Sequence, residues 1–223
     1  MSFAITTNPI VAGLAGSRDT QLGDQGQVFV ANTAAAGPGQ ISAAVATFVE
    51  TTPVLVLFNS STTAAPVNIY PMYMAGHITV IGTGVATACN WTFTLDAGNR
   101  FTSGGAAMTV ANVNMGSNIG SAAIVNIGAI TATAATGARR IVGNAVVKDT
   151  VIEVVHDTFS FNFGAGSQTW TSVLAANAAV QHHSSHSLAP LVIGPQQSMV
   201  VVAWGVTKPG GTTYEMHMGW VEK

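Results

Sequence analysis

The chain has 223 residues, of which 48% are hydrophobic and 7% are charged, and its formal net charge at pH 7 is -2. Soluble globular proteins average about 25% charged residues, so charge is scarce here. The seven Lys and Arg residues are too few for the clustered positive charge that binds phosphate backbones, which argues against a nucleic-acid partner. The densest apolar run, residues 54–58, is far shorter than the roughly twenty residues of a membrane-spanning helix, so no membrane partner is expected.

Low charge favours association between copies of the chain. A monomer of 22.7 kDa exposes roughly 9,500 Å², so its seven basic and nine acidic residues would lie about one per 600 Å². Such a surface gives little protection against self-association. The polar residues are mostly Thr, Ser, Asn and Gln, which predicts a folded chain rather than a disordered one. The single cysteine, Cys89, excludes an internal disulfide framework and is interpreted as a core residue.

Residues 1–26 are predicted to form an extended N-terminal arm. They are rich in Thr, Gly and Ala, carry a polar run at 17–27 and show no sustained periodicity. Arms of this kind either stay mobile or lie along a neighbouring subunit. The residues predicted to bind a partner are Asn8, Pro9, Arg18, Asp19 and Gln21. Residues 1–17 contain no Lys or Arg and include the Asn8-Pro9 pair, so a secretory signal is not expected.

From residue 27 onward the chain is predicted to form a series of short β-strands. Trp91, Phe93 and Leu95 alternate with threonines, which is the two-residue period of a strand with one buried face. The turn-forming residues 96–99 follow directly. The phenylalanines at 159, 161 and 163 repeat this alternation. Further strands are predicted at 27–31, 54–59, 67–73, 77–81, 141–147 and 151–156, with a break at Ala75-Gly76 between the third and the fourth of these.

Residues 104–136 are the part richest in Ala, Gly and Asn. Small residues at this density let strands approach closely while they add little core volume. These strands are therefore predicted to pack against other subunits.

The C-terminal part, residues 188–220, has the most regular pattern. A turn at Gly194-Pro195 precedes an apolar run at 199–204, and a break at 208–211 precedes the last strand. In that strand Tyr214, Met216, Met218 and Trp220 fall on one face, while Glu215, His217 and Gly219 fall on the other. This part of the chain is predicted to form a C-terminal hairpin with one strongly apolar face.

Ten to twelve strand candidates with turn signals at 8–12-residue spacing, and almost no helical periodicity, predict an all-β, antiparallel β-sandwich. A jelly-roll-like arrangement closes most sheet edges at this strand count. The predicted organisation is the arm at 1–26 followed by one β-sandwich domain at 27–223.

The sequence offers one cluster of potential metal ligands, His182, His183 and His186 in QHHSSHS. It lies in a predicted polar loop at 177–187 without a nearby cysteine or carboxylate, and a solvated loop is the favoured interpretation. In a symmetric trimer, one histidine per chain near the axis would nevertheless supply three ligands. No cofactor is predicted.

Other candidate residues have plainer interpretations. His156 and Asp157 are predicted to lie on a strand, where neighbours point to opposite faces, so they are not expected to pair as a base with its acid. Tyr70, Tyr73 and Trp170 would stack on sugar rings if they lay on loops, but such residues are more often core or interface anchors.

The ending APLVIGPQQSMVVVAWG followed by TTYEMHMGWVE, together with the low charge, the arm and the Thr/Ala/Gly/Asn-rich strands, resembles structural proteins of tailed-bacteriophage virions, especially jelly-roll decoration or fibre-tip subunits. The resemblance rests mainly on residues 189–222. It implies a homotrimer packed around a threefold axis and attached to a capsid or tail, and it brings no catalytic residues with it.

The expected function is that of a non-enzymatic capsid decoration or cement protein, a homotrimer on the virion that binds the major capsid protein or other virion subunits. The alternative is a receptor- or glycan-binding fibre or spike tip, which would use apical loops such as 60–65 and 177–187. A metal enzyme of cupin type that uses the histidine cluster is a more distant alternative.

Overall fold

The computed structural model describes residues 18–33, 40–41, 46–82, 88–135, 137–149, 154–164, 183–205 and 211–223. Within these ranges it contains one helix, α1 (Arg18–Asp24), and thirteen strands. The strands are β1 (Val28–Asn32), β2 (Gln40–Ile41), β3 (Leu55–Asn59), β4 (Ile69–Val80), β5 (Ala88–Asp96), β6 (Phe101–Ala107), β7 (Thr109–Asn112), β8 (Ala123–Ala132), β9 (Arg139–Asp149), β10 (Thr158–Phe163), β11 (His183–Leu188), β12 (Ser198–Trp204) and β13 (Thr213–Glu222). Among the described residues, no helix has the length and apolar character needed to cross a membrane.

The strands form two sheets that pack as a sandwich. A seven-stranded sheet has the order β11-β10-β4-β13-β1-β7, with β2 paired to β13, and a six-stranded sheet has the order β6-β8-β3-β12-β5-β9. Among the described strands, every pairing is antiparallel except that of β10 with β11. The prediction of an all-β, antiparallel β-sandwich is therefore confirmed.

Strands that follow one another along the chain often lie in opposite sheets. β3, β4 and β5 alternate between the two sheets, as do β9 and β10 and then β12 and β13. Each crossing brings distant parts of the chain together, so that β12 lies between β3 and β5. Such crossings between two sheets are typical of jelly-roll sandwiches.

The inner faces of the two sheets enclose one large apolar core. β10 buries Phe159, Phe161 and Phe163 and leaves the residues between them more exposed, as the alternation predicted. Across the core lie two aromatic residues of β5, with ring centroids 4.8 Å apart for Trp91 and Phe159 and 4.9 Å apart for Phe93 and Phe161. Cys89, on the same strand, is also buried in this core, which agrees with its interpretation from the sequence.

β13 buries the predicted face, since Tyr214, Met216, Met218 and Trp220 are all inaccessible to solvent or nearly so. The predicted C-terminal hairpin is wrong, however, because β12 and β13 belong to different sheets. All residues of β12 except the last are buried, so this strand needs cover on both faces and a neighbour on each side. The centre of the six-stranded sheet provides both.

β4 is one continuous strand, and the predicted break at Ala75-Gly76 is wrong. The glycine has a packing role instead. A Cβ at Gly76 would lie 2.8 Å from the Glu215 carbonyl oxygen and 2.9 Å from Cζ of Phe159. Two neighbouring strands thus approach β4 so closely at this position that only glycine fits.

Two further segments differ from the sequence-based expectation. Residues 183–188 form β11 rather than part of a polar loop, because β11 pairs in register with β10 and its Ser185 hydroxyl accepts a hydrogen bond from Ser160 (3.1 Å). Residues 154–157 form a turn rather than a strand, and His156 adopts a positive φ of 72° there. Hydrophobic periodicity detects neither a polar edge strand nor a histidine in left-handed backbone.

Part of the predicted arm belongs to the sandwich. Residues 18–24 form α1 rather than extended chain, and Leu22 is buried against Val28 and Val221 on the outer face of the seven-stranded sheet. Residues 1–17 lie outside the described part of the chain.

Candidate functional site

One lateral side of the sandwich is built from a segment that carries no charge. Between Phe101 and Ala138 the sequence contains no Lys, Arg, Asp, Glu or His. β6 is one edge of the six-stranded sheet and β7 is one edge of the seven-stranded sheet, while Met108 between them is buried. One continuous piece of chain therefore supplies an edge to both sheets. We call β6, β7 and residues 113–121 the uncharged side.

Large apolar side chains are exposed in and beside residues 113–121. Met115 is 100% exposed, Ile119 52% and Val113 46%, and Ile124 at the start of β8 is 47% exposed. Single exposed apolar residues are normal on protein surfaces. Four such residues lie within one short stretch, next to two uncharged sheet edges, and this makes the stretch a candidate interaction surface.

Hydrogen bonds hold residues 113–121 in place at both ends. Asn112 Nδ2 donates to the Gly26 carbonyl oxygen at 2.9 Å. The backbone N–H of Ala122 donates to the buried carboxylate of Glu222, also at 2.9 Å. The exposed apolar side chains are therefore presented on an ordered loop, which reduces the entropy lost when a partner binds.

The β6 edge is irregular and lacks the flat geometry that invites further strands. Gly104 and Gly105 have positive φ angles of 81° and 63°, and a Cβ on either would lie within 2.5 Å of a β8 carbonyl oxygen. The register with β8 shifts at this point. Because bulged edges discourage open-ended strand addition, contacts through this side are expected to use the side chains of residues 113–121.

The opposite edge of the six-stranded sheet carries charge. β9 begins with Arg139 and Arg140, both exposed, and Arg139 forms an ion pair with Glu50. Next to them Ile141 is 59% exposed. Ile119 on the uncharged side and Ile141 on the β9 edge are thus exposed to a similar degree. Ile119 has no charged residue near it in the sequence, whereas Ile141 directly follows two arginines.

The predicted histidine cluster does not come together in the described part of the chain. His182 lies outside the described residues. His183 is exposed, whereas His186 is buried and stacks on Phe161 at a centroid distance of 5.4 Å. The two lie on opposite faces of β11, and no group of metal-ligating residues is found among the described residues. The on-axis alternative for a trimer stays a prediction.

Burial lowers the pKa of the His186 imidazole, and burial together with the neighbouring His77 lowers the pKa of His217. The unfolded chain therefore takes up these protons at a higher pH than the folded chain does. Stability should be complete above the ordinary histidine pKa of about 6.5 and should fall as the pH drops below it. We expect the urea midpoint to decrease from about pH 7.5 to about pH 5.

The variant His186→Phe keeps an aromatic ring on Phe161 and should reduce that decrease, because it removes one of the two depressed pKa values. His183→Phe, at an exposed position of the same strand, is the matched control and should leave the decrease unchanged. An equal pH dependence in both variants would contradict the role assigned to His186.

The outer face of the seven-stranded sheet carries a row of polar side chains that sequence reasoning did not find. His183, Thr158, His77 and Glu215 lie in register on four adjacent strands. Thr158 Oγ1 and His183 Nδ1 are 2.8 Å apart, and His77 Nε2 lies 3.5 Å from Glu215 Oε2. In a hydrolase triad, one imidazole contacts a hydroxyl on one side and a carboxylate on the other. His183 contacts the Thr158 hydroxyl but forms no ion pair with a carboxylate of the described residues, so the row is not such a triad.

His156 and Asp157 have separate partners in the turn before β10. The His156 ring stacks on His77 with centroids 6.3 Å apart. The Asp157 carboxylate accepts a hydrogen bond from the Val154 backbone N–H at 2.8 Å. The strand-based reason for separating the two residues was wrong, because they lie in a turn.

A groove of about 540 Å³ opens on the same sheet face, along β4 and its two neighbours in the sheet, β10 and β13. Tyr70 and Tyr73 line it from strand β4 rather than from loops, and Trp170 lies outside the described residues. Burial raises the pKa of the Tyr73 phenol, which keeps its hydroxyl neutral. Other lining residues include Met72, Asn162, Phe163 and Pro190. We call this feature the tyrosine groove.

The residues predicted to bind a partner from the arm are only partly described. Arg18, Asp19 and Gln21 lie on α1, and Asn8 and Pro9 lie outside the described residues. Their role in partner binding stays a prediction.

Comparisons of the chain with protein-family models, with curated proteins and with solved structures gave no match.

Proposed function

We propose that this chain is a non-enzymatic structural protein of a tailed-bacteriophage virion, a decoration or cement subunit that assembles as a homotrimer on the capsid. The observation that carries the proposal is the uncharged side, with its exposed Val113, Met115 and Ile119. Four of the few charged side chains are themselves buried, which makes the surface poorer in charge than the composition alone suggests; they are Asp96, Arg100, Asp157 and Glu222. A surface of this kind is suited to burial against other subunits.

Self-association through the uncharged side would place the edge strands β6 and β7 next to neighbouring subunits. Each partner in a stable interface buries about 800 Å². The loop at 113–121 offers apolar side chains for the centre of such a contact, and the uncharged edge strands would form its rim. Because the loop is ordered by its own hydrogen bonds, little additional entropy is lost on assembly.

Attachment to the capsid is assigned to the N-terminal residues, including Asn8, Pro9, Arg18, Asp19 and Gln21. Weak individual contacts gain strength when three copies are linked, because the second and third binding events become intramolecular. A truncation that tests this should end before Arg18, since Leu22 packs on the sandwich.

The test of assembly replaces exposed apolar residues by acidic ones. Met115→Asp combined with Ile119→Asp should weaken the trimer at least tenfold, because two side chains buried in the interface would each bring a charge into it. The control is Ile141→Asp, at a similarly exposed isoleucine on the charged edge (59% against 52%). Native mass measured over a concentration series should show a wild-type and control species near three times 22.7 kDa and a variant that dissociates.

Two results would reject this assignment. A wild-type protein that stays monomeric at high concentration would contradict the inference that its low surface charge leads to self-association. Equal dissociation of the double variant and the Ile141→Asp control would show that the uncharged side is not the interface.

A second candidate is a receptor-binding tip of a fibre or spike, which is favoured by the tyrosine groove. The sequence-based alternative assigned glycan binding to loops at 60–65 and 177–187. Residues 60 and 62–65 are exposed, whereas Ser61 is half-buried and is held by hydrogen bonds with Asn59 and Gln196. Residues 177–182 lie outside the described part of the chain. Copy number separates the two functions, because a decoration protein is present in hundreds of copies per particle and a tip in tens or fewer.

A further inference from the structure

We propose that the tyrosine groove is a carbohydrate site in which Tyr73 is the stacking platform for one neutral pyranose ring. The inference deepens the second candidate function and rests on it for its biological meaning. It concerns the isolated protein, however, and it holds or fails independently of assembly.

The platform follows from a close fit between two adjacent strands. Gly219 of β13, Tyr73 of β4 and Asn162 of β10 lie in one row across the sheet. A Cβ on Gly219 would lie 2.6 Å from Cε1 and 3.0 Å from Cζ of Tyr73, so the phenol ring rests directly on the glycine backbone. The His217 ring packs edge-on against Tyr73 at a centroid distance of 5.7 Å. The ring is therefore held against the sheet, and stacking on it requires little reorganisation.

The polar groups around the platform suit hydroxyl groups. The hydroxyls of Tyr70 and Tyr73 make no hydrogen bond within the described part of the chain. Asn162 Nδ2 donates to Ser185 Oγ at 3.3 Å, and the Asn162 amide oxygen accepts no hydrogen bond from the described residues. An aromatic face with a few donors and acceptors beside it matches a sugar ring, which has an apolar face and hydroxyls at its edge.

Charge and size narrow the class of ligand further. None of the described residues that line the groove is charged, so these residues offer no ion pair to a phosphate or a carboxylate. Its volume of about 540 Å³ lies within the range of small-molecule sites. The ligand class is therefore a neutral mono- or oligosaccharide. A proline-rich peptide, which also binds aromatic-lined grooves, is the competing outcome.

The experiment titrates the purified full-length protein with neutral oligosaccharides built from glucose, galactose or N-acetylglucosamine, and with a proline-rich peptide, using calorimetry and ligand-observed NMR. At least one sugar should bind with saturable affinity, and Tyr73→Ala should weaken it at least tenfold. Gly219→Ala should also weaken it, because the new methyl group displaces the ring while the Tyr73 side chain is kept.

The controls separate loss of the platform from loss of the fold. His183→Ala lies on the same sheet face at the far end of β11 and should bind sugar like the wild type. Thermal unfolding verifies that both groove variants fold. Tyr73→Phe should retain most of the stacking and lose only the hydroxyl contribution.

Three results would overturn the inference. Sugar binding that survives Tyr73→Ala and Gly219→Ala would locate the site elsewhere and leave the receptor-binding function intact. Binding of the peptide but of no sugar would assign the groove to a protein partner. Binding of the protein to host cells, without affinity for any neutral sugar, would preserve the receptor-binding function and reject the carbohydrate site.

Discussion

Replacing Arg100 by Met is expected to lower the free energy of unfolding by about 3–5 kcal/mol, because it leaves the carboxylate of Asp96 buried without its cation. Arg100 is 2% exposed and Asp96 4%, and the two form an ion pair at the turn between β5 and β6. The guanidinium also donates to the carbonyl oxygens of Thr133 and Glu50. One side chain thus joins the end of β5 to two segments that are distant in sequence.

The matched control is Arg140→Met, the same substitution at an exposed arginine of β9. Exposed substitutions of this kind change stability by less than about 0.5 kcal/mol. Urea unfolding of both variants gives the comparison. Adding Asp96→Leu to Arg100→Met should recover part of the loss, because the pair is then replaced by two apolar groups. Equal stability of the two single variants would contradict a structural role for the ion pair.

The substitution Phe161→Ala is expected to cost about 3–5 kcal/mol, which is typical of a large aromatic residue removed from a core. Phe161 is fully buried. Its ring centroid lies 4.9 Å from that of Phe93, 5.5 Å from Trp91 and 5.4 Å from His186. The cavity would therefore open between the two sheets, where the packing comes from β5, β10 and β11 and has little freedom to collapse.

Two comparisons make the result specific to the cavity. Phe161→Leu retains much of the volume and should cost clearly less than the alanine variant. Val192→Ala, at a position 47% exposed, should stay within about 0.5 kcal/mol of the wild type. Chemical unfolding of the three variants measures the order. A small effect of Phe161→Ala, similar to that of Val192→Ala, would mean that the aromatic cluster does not stabilise the sandwich as its contacts indicate.

Two-residue periodicity was a reliable guide wherever a strand has one buried and one open face. β10 and β13 bury the residues that their alternation predicted, such as Phe161 and Met218. The prediction for β5 was only partly correct, because Thr92 and Thr94 are buried as well and Leu95 is only partly buried. The physical reason is local, since successive side chains of any strand point to opposite faces. It fails for β11, whose polar residues form an edge strand beside β10, and for Gly76, which interrupts the pattern without ending the strand.

The sequence identified some residues of the candidate sites but not the neighbours that they contact. The sequence singled out residues 104–136 as a surface for other subunits, and Tyr70 and Tyr73 as possible sugar-stacking residues. It did not identify Asn162 or Gly219 as their neighbours, because those residues lie far away in the chain and meet Tyr73 only through strand pairing. The histidines of the predicted cluster are separated for a local reason, since the strand conformation of β11 turns His183 and His186 to opposite faces.

The sequence by itself determined that the chain is an all-β sandwich, which residues of its regular strands face the core, and that one long segment carries no charge. These are properties of composition and of short-range alternation, and each can be read within a few residues. The tertiary structure alone decided which strands are neighbours, that β12 and β13 lie in different sheets, and that the uncharged segment forms one lateral side of the sandwich. It also decided that Tyr73 rests on Gly219, because pairing between distant strands depends on the packing of the whole chain and not on any local pattern.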